Sequence, residues 1–334
     1  MTFLLPLLLS FAIAWPLTAL IRRRLLAKAV MDVPNERSMH KIPVPRGGGL
    51  AVMLVVLGGL LLLEIRFQTP SLLLLSFAIL LLMAVSWIDD KKQVSPAVRL
   101  PCHLLAAGIG SLALGDHAML FAGFLPFWLD RALMILGWGW FMNLYNFMDG
   151  IDGLTGVQTV CCAFGAGLLL VLSGNPETPA LLPLCALIIG ACWGFLMLNW
   201  HPARLFLGDV GSVPLGFLIG FLLLKLATTG PAFLLPALLL PLYYLADSGI
   251  TITRRALKGE KIWQAHRQHF YQRATAGEGS PVPVLLWIAT GNMGLLACAV
   301  MALNAPWLGG LLGVGILLLL LIKLTHSAMK EPRA

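Results

Sequence analysis

A chain of 334 residues that is 59% hydrophobic and only 11% charged, with a formal net charge of +8, cannot be packed as a water-soluble domain. Soluble domains carry roughly 25% charged residues, and even a large one leaves much of its surface wet. Disorder, a nucleic-acid-binding module and a secreted disulfide scaffold are excluded, and an all-α polytopic membrane protein is expected.

A helix needs about 20 mostly apolar residues to cross ~30 Å of hydrocarbon. In chain order that length predicts spans at 3–21, 48–65, 71–88, 100–115, 131–147, 155–173, 180–198, 211–227, 231–251, 283–303 and 306–323. These make about eleven transmembrane helices in a single integral membrane domain, 1–334. The first stretch lacks a basic segment ahead of its apolar run, so it reads as a span and not as a cleavable signal. Lys and Arg stay preferentially on the cytoplasmic side. Of the 23 basic residues, all except Arg66, Arg131 and Lys225 fall in one set of alternate connecting segments or the C-terminal tail. The N-terminus is therefore expected outside and the C-terminus in the cytoplasm. The positive charge follows from this bias and suits anionic membrane lipids, with no nucleic acid partner. The six cysteines lie in or beside spans without metal-ligand spacing and read as small buried hydrophobes.

Carboxylates at a membrane edge are costly and usually functional. Asp89 and Asp90, Asp149 and Asp152, and Asp209 all sit at cytoplasmic ends of predicted spans. The first pair lies in Trp87-Ile-Asp-Asp-Lys-Lys-Gln-Val-Ser-Pro96, with Arg99 close by and a helix start signalled at Ser95-Pro96. Adjacent carboxylates repel unless a cation or a base shares them. In the second phrase Asn143, Asn146 and Asp149 recur every three residues on one helical face. Two Asp-Gly steps, which also favour turns, follow there. The third phrase runs from Asn199 to Ser212, where Gly208 and Gly211 permit close backbone approach and Asp209 is placed to cap the eighth span.

A fourth phrase, Lys261 to Arg273, interleaves His266, Arg267 and His269 with aromatics, a surface suited to phosphates and a flat base. The fifth, Ser38 to Gly49, sets Lys41 and Arg46 beside three glycines that could cradle a phosphate at a helix start. Oxygen ligands for a hard dication and basic groups for phosphates, on one face of a bilayer, read as phosphoryl transfer between a nucleotide-linked donor and a lipid acceptor.

These phrases together resemble the polyprenyl-phosphate N-acetylhexosamine-1-phosphate transferases, over nearly the whole chain. The motifs that carry the resemblance are Asp89-Asp90 ahead of Ser95, Asn-Phe-Met-Asp-Gly-Ile-Asp-Gly-Leu at 146–154, Phe-Leu-Gly-Asp-Val-Gly-Ser at 206–212, and the late histidines. The resemblance implies cytoplasmic active-site loops in a bacterial inner-membrane enzyme. Such an enzyme transfers the sugar phosphate of a UDP-N-acetylhexosamine to undecaprenyl phosphate and releases UMP, with Mg²⁺ or alternatively Mn²⁺. By match, Asp89 or Asp90 would hold or deprotonate the lipid phosphate, with Arg99 and Lys41 as basic residues of the catalytic centre. Asn146 and Asp209 would hold the metal and pyrophosphate. Asn143, Asp149, Asp152 and Asn199 would line the substrate site, and His266, Arg267 and His269 would hold the donor's diphosphate or sugar.

The late His-Arg-Gln-His departs from the more consecutive histidines of cell-wall members. It is closer to the members that initiate O-antigen and lipopolysaccharide assembly, some of which use N-acetylfucosamine or N-acetylquinovosamine in place of N-acetylglucosamine. The resemblance leaves open direct attack or a phospho-aspartate. The rival classes are a secondary transporter, which places charges near the bilayer midplane, and a CDP-alcohol phosphotransferase, whose Asp-Gly is followed closely by an Ala-Arg that these phrases lack.

Overall fold

The computed structural model describes residues 2–34, 39–40, 42–92, 94–121, 123–261 and 266–330. In them thirteen α-helices follow one another: α1 (Leu4–Ala27), α2 (Gly49–Phe67), α3 (Ser71–Lys92), α4 (Pro96–Ala113), α5 (Phe127–Phe147), α6 (Leu154–Ser173), α7 (Thr178–Asn199), α8 (Asp209–Ala227), α9 (Leu234–Leu239), α10 (Leu242–Leu257), α11 (Phe270–Glu278), α12 (Pro281–Ala302) and α13 (Pro306–Ala328). A two-stranded ribbon pairs β1 (Met31–Asp32) with β2 (Val44–Pro45). The fold is that of an all-α polytopic membrane protein.

Every predicted span falls on helix. Eight of the helices, α1, α2, α3, α6, α7, α8, α12 and α13, are long and apolar enough to cross a membrane, and α4 and α5 coincide with the fourth and fifth predicted spans. The ninth span departs from the expected straight helix. A 3-10 turn at Pro231–Phe233 runs into α9, and α10 then turns away by 71°. Pro241 stands at the break, where its missing N–H and its ring oppose a continuous helix. The late loop holds a helix that hydrophobicity did not reveal, α11, closed by a capping box between His269 and Gln272 and by Gly279 at φ +69°.

Small residues set the helix spacing. Helices α1 and α7 pack in parallel, with Ser10 and Ala14 of α1 facing Gly190 and Gly194 of α7. A Cβ on Gly190 would stand 2.2 Å from the Leu7 carbonyl, and one on Gly194 would stand 2.6 Å from the Ala14 Cβ. Such four-residue spacing of small side chains lets membrane helices approach through their backbones. At the centre, α8 is buried along almost its whole length and packs on α2, α3, α5 and α6. Lys225, expected within the span, lies in the last turn of α8, where it pairs with Glu177 and donates to the Leu114 carbonyl at 3.1 Å. The opposite end of α8 begins at Asp209. There it meets the start of α2, the last turn of α3 and the loop that leaves α7.

Candidate active site

The start of α8 is capped from a different helix. Gly208, at φ +76°, is the N-cap residue, and Asp90 of α3 accepts the Asp209 and Val210 amides at 2.9 and 3.0 Å. A Cβ on Gly208 would stand 2.8 Å from Asp90 Oδ2, so glycine is needed here for both its φ and its lack of a side chain. The sequence pointed to Asp209 as the cap. Asp209 is instead the first helical residue, and its carboxylate is left for side chains.

Two arginines bind the acids into one cluster. Arg46 pairs with Asp90 through Nε at 2.9 Å and with Asp209 through Nη2. Arg99 Nη1 lies 2.6 Å from Asp89 Oδ2 and 3.7 Å from Asp209 Oδ2, and the Val94 amide donates to Asp89 Oδ1 at 2.6 Å. Asn146, in the last turn of α5, adjoins Asp209. Burial opposes the charge on Arg46, but Asp209 and Asp90 beside it hold the guanidinium protonated, above the usual arginine value. Asp149, just past α5, faces the same cluster. Burial pushes its carboxyl up to about 7, against the opposing pull of Thr155 and Arg46.

The three glycines do not form a phosphate cradle. Their amides are already used: Gly47 and Gly48 donate to the Phe206 carbonyl at 3.1 and 2.8 Å, and Gly49 donates to that of Leu207 at 2.8 Å. What glycine supplies is proximity. A Cβ on Gly49 would come within 2.2 Å of the Gly211 Cα, so α2 and α8 touch backbone to backbone beside the acids. The ladder formed by Gly47 to Gly49 brings Arg46 to Asp209.

Several residues expected to line the substrate site spend polar atoms on the scaffold. Asn199 accepts the Gly153 amide at 3.0 Å and donates to the Leu205 carbonyl at 2.9 Å, tying the second phrase to the third. Asp152 binds His201 Nδ1 at 2.7 Å and the Ala203 amide at 3.0 Å. Asn143 donates to the Gly139 carbonyl at 2.7 Å, one turn back on α5. Asn199 is buried, whereas Asn143 and Asp152 remain half-buried.

The late loop comes to the same end of the bundle. Buried Asp247 of α10 accepts the Phe270 and Tyr271 amides at 3.1 and 3.2 Å, so α11, like α8, is capped by an aspartate from another helix. His269 is buried, with Nδ1 2.9 Å from Asp247 Oδ1. It is therefore withdrawn from the surface on which the sequence placed it. His266 stacks on it at 4.9 Å between centroids, and burial, with His269 and Arg255 nearby, pushes the His266 imidazole down to about 4. Arg267 is exposed. Tyr271 donates to the Phe147 carbonyl at 3.1 Å, joining α11 to the Asp149 loop. Lys41 lies outside the described residues.

The geometry adds Arg46, His103 and Asp247 to the residues selected from sequence. Arg46 was visible only as a neighbour of glycines. His103 stands one turn beyond Arg99 on α4, beside Asn143, with Nδ1 buried and unpartnered among the described residues. Asp247 could have been found as a carboxylate within an apolar stretch.

The donor set fits a hard dication completed by phosphate. Asp89, Asp90, Asp149 and Asp209 outnumber Arg46 and Arg99, which leaves excess negative charge when the acids ionise, and all the donors are oxygens. No cluster of three His, Cys, Asp or Glu is preassembled for a metal among the described residues. This suits Mg²⁺, which commonly takes one or two carboxylates together with substrate phosphates. Arg99 Nε is buried without a protein partner among the described residues, a donor suited to an anion.

The chain is similar to known proteins over most of its length. The glycosyl transferase family 4 profile matches residues 72–227. A probable undecaprenyl-phosphate N-acetylglucosaminyl 1-phosphate transferase of Bacillus subtilis (strain 168) is 27% identical over 305 residues, covering 87% of this chain and 83% of that protein. A phospho-N-acetylmuramoyl-pentapeptide-transferase of Synechococcus sp. (strain RCC307) is 31% identical over 71% of this chain and 70% of its own. A decaprenyl-phosphate N-acetylglucosaminephosphotransferase of Mycobacterium tuberculosis (strain CDC 1551 / Oshkosh) is 28% identical over 72% of this chain and 67% of its own.

Proposed function

The chain belongs to glycosyl transferase family 4, and from that premise we propose that it transfers N-acetylhexosamine-1-phosphate from a UDP-sugar to undecaprenyl phosphate, releasing UMP. The observation that carries this reading is the convergence of Asp89, Asp90 and Asp209 with Arg46 and Arg99 at one end of a buried helix. The reaction brings an anionic acceptor phosphate against an anionic diphosphate, so charge neutralisation is its main requirement. Arg46 and Arg99 supply fixed positive charge. Asp90 holds Arg46 and the start of α8 in place, which aims the Asp209 carboxylate. Asp209, Asn146 and Asp149 would hold Mg²⁺, which, once bound, shields the phosphate oxygens. A phosphate monoester is already anionic near neutral pH, so a general base has little to remove.

The enzyme's proposed setting is the bacterial inner membrane, N-terminus outside and C-terminus cytoplasmic, with this face of the bundle in the cytoplasm. The His-Arg-Gln-His sequence at 266–269 favours a simple UDP-N-acetylhexosamine and the initiation of O-antigen and lipopolysaccharide assembly. A transporter reading lacks support, because these acids cluster at helix ends on one face. The test is UMP release by purified protein given undecaprenyl phosphate, Mg²⁺ and a panel of UDP-N-acetylhexosamines. Asp90→Asn and Asp209→Asn should each abolish release while the protein still inserts in the membrane. Normal turnover by both would refute the site.

A further inference from the structure

The flank of the α1–α7 pair carries a groove of about 480 Å³ lined by Phe11, Trp193, Leu196, Met197 and Trp200. Trp193, Met197 and Trp200 are exposed by 44%, 46% and 42%, so this is outward-facing apolar surface with bulky walls. The groove ends at a basic mouth. Arg204 Nη2 donates to the Met197 carbonyl at 3.2 Å, and Arg22 Nε donates to the Arg204 carbonyl at 2.9 Å. A guanidinium has five N–H donors, so these bonds fix both side chains and leave donors over. Neither arginine is ion-paired with a carboxylate among the described residues. Trp200 at the end of α7, beside the arginines, matches an acyl chain joined to a negative headgroup.

We propose that this flank binds one anionic glycerophospholipid, with an acyl chain in the groove and the phosphate held by Arg22 and Arg204. The site is separate from Arg46 and Arg99, whose guanidiniums are engaged with the acids, and it does not depend on the transfer reaction. Charge complementarity selects the occupant: a zwitterionic lipid would fill the groove equally well but gain less from the mouth.

The test is lipid retention. Protein reconstituted in phosphatidylcholine–phosphatidylglycerol vesicles (roughly 4:1) and re-extracted in mild detergent should carry a phosphatidylglycerol-to-phosphatidylcholine ratio about tenfold above that of the vesicles, by mass spectrometry. Arg22→Gln combined with Arg204→Gln should return retention to the vesicle ratio. Met197→Trp, which fills the groove and keeps both arginines, should also lower it. High salt should reduce the enrichment in the unaltered chain, a readout that needs no variant. Enrichment unchanged by salt and by both variants overturns the proposal. Displacement of phosphatidylglycerol by an equal share of undecaprenyl phosphate also overturns it, by assigning the groove to a polyprenyl chain.

Discussion

Asp149 illustrates what one residue's surroundings do to its chemistry. Its carboxyl titrates near 4 in an unfolded chain and at about 7 in the fold, chiefly through burial. Between those values the native protein holds the proton more tightly than the unfolded chain. Stability therefore falls as pH rises through that window and levels off above about 7. Asp149→Asn removes the titration. Thermal unfolding in detergent at about pH 5 and about pH 8 should show a larger loss for the native sequence than for the variant. Equal losses would mean that Asp149 titrates as an ordinary carboxylate. The sequence marked Asp149 as important because an asparagine-studded face led to it. It could not show how much water the fold removes from the carboxyl, since that depends on partners such as Tyr271 that arrive from over a hundred residues away. Packing likewise hid the role of Asn199, whose amide is divided between Gly153, in a different phrase, and Leu205, six residues on.

At the scale of elements, the crossing of α2 and α8 sets the tolerance of the site. Gly49→Ala places a Cβ 2.2 Å from the Gly211 Cα, and backbone must move to admit it, whereas Gly58 on the same helix has nothing within 4 Å. Overpacking at such a contact costs about 1–3 kcal/mol. Gly49→Ala should lower UMP release at least roughly tenfold by shifting Arg46 against Asp209, and Gly58→Ala should leave it unchanged. Matching rates for the two would show that the crossing is slack. The spans themselves were legible because twenty apolar residues leave few alternatives. The bend at Pro241 and helix α11 were not: a proline in an apolar run fits a kink or a continuous membrane helix, and α11 draws its stability from a cap supplied by Asp247. The glycine run at Gly47–Gly49 was legible as special, yet its meaning depended on a partner segment at Phe206–Leu207 that local sequence cannot reveal.

Over the whole molecule, the acids, the paired arginines and the late loop gather at one end of the bundle, while Lys225, Glu177 and Phe124 mark the other. Cysteine substitutions at Lys91 and His201 should react with an impermeant maleimide only from the cytoplasmic side, and one at Phe124 only from outside. The native cysteines are buried or half-buried, which keeps their background low. Labelling of Lys91→Cys from outside would invert the proposed orientation. The direction of the chain is an expectation that rests on its basic residues, and this labelling tests it. The convergence of five phrases was an expectation that only packing around α8 could give form.

The borrowed caps have a further consequence. Neither α8 nor α11 carries the acid that completes its own first turn, and at a membrane surface an uncapped turn has little water to turn to. Asp90 and the 208–210 backbone are therefore a single heritable unit, as are Asp247 and 269–271. A chimera that exchanges one half of either unit with a distant relative joins parts made for different neighbours. Segment boundaries for hybrid enzymes belong outside both units, however far apart their members stand in the chain.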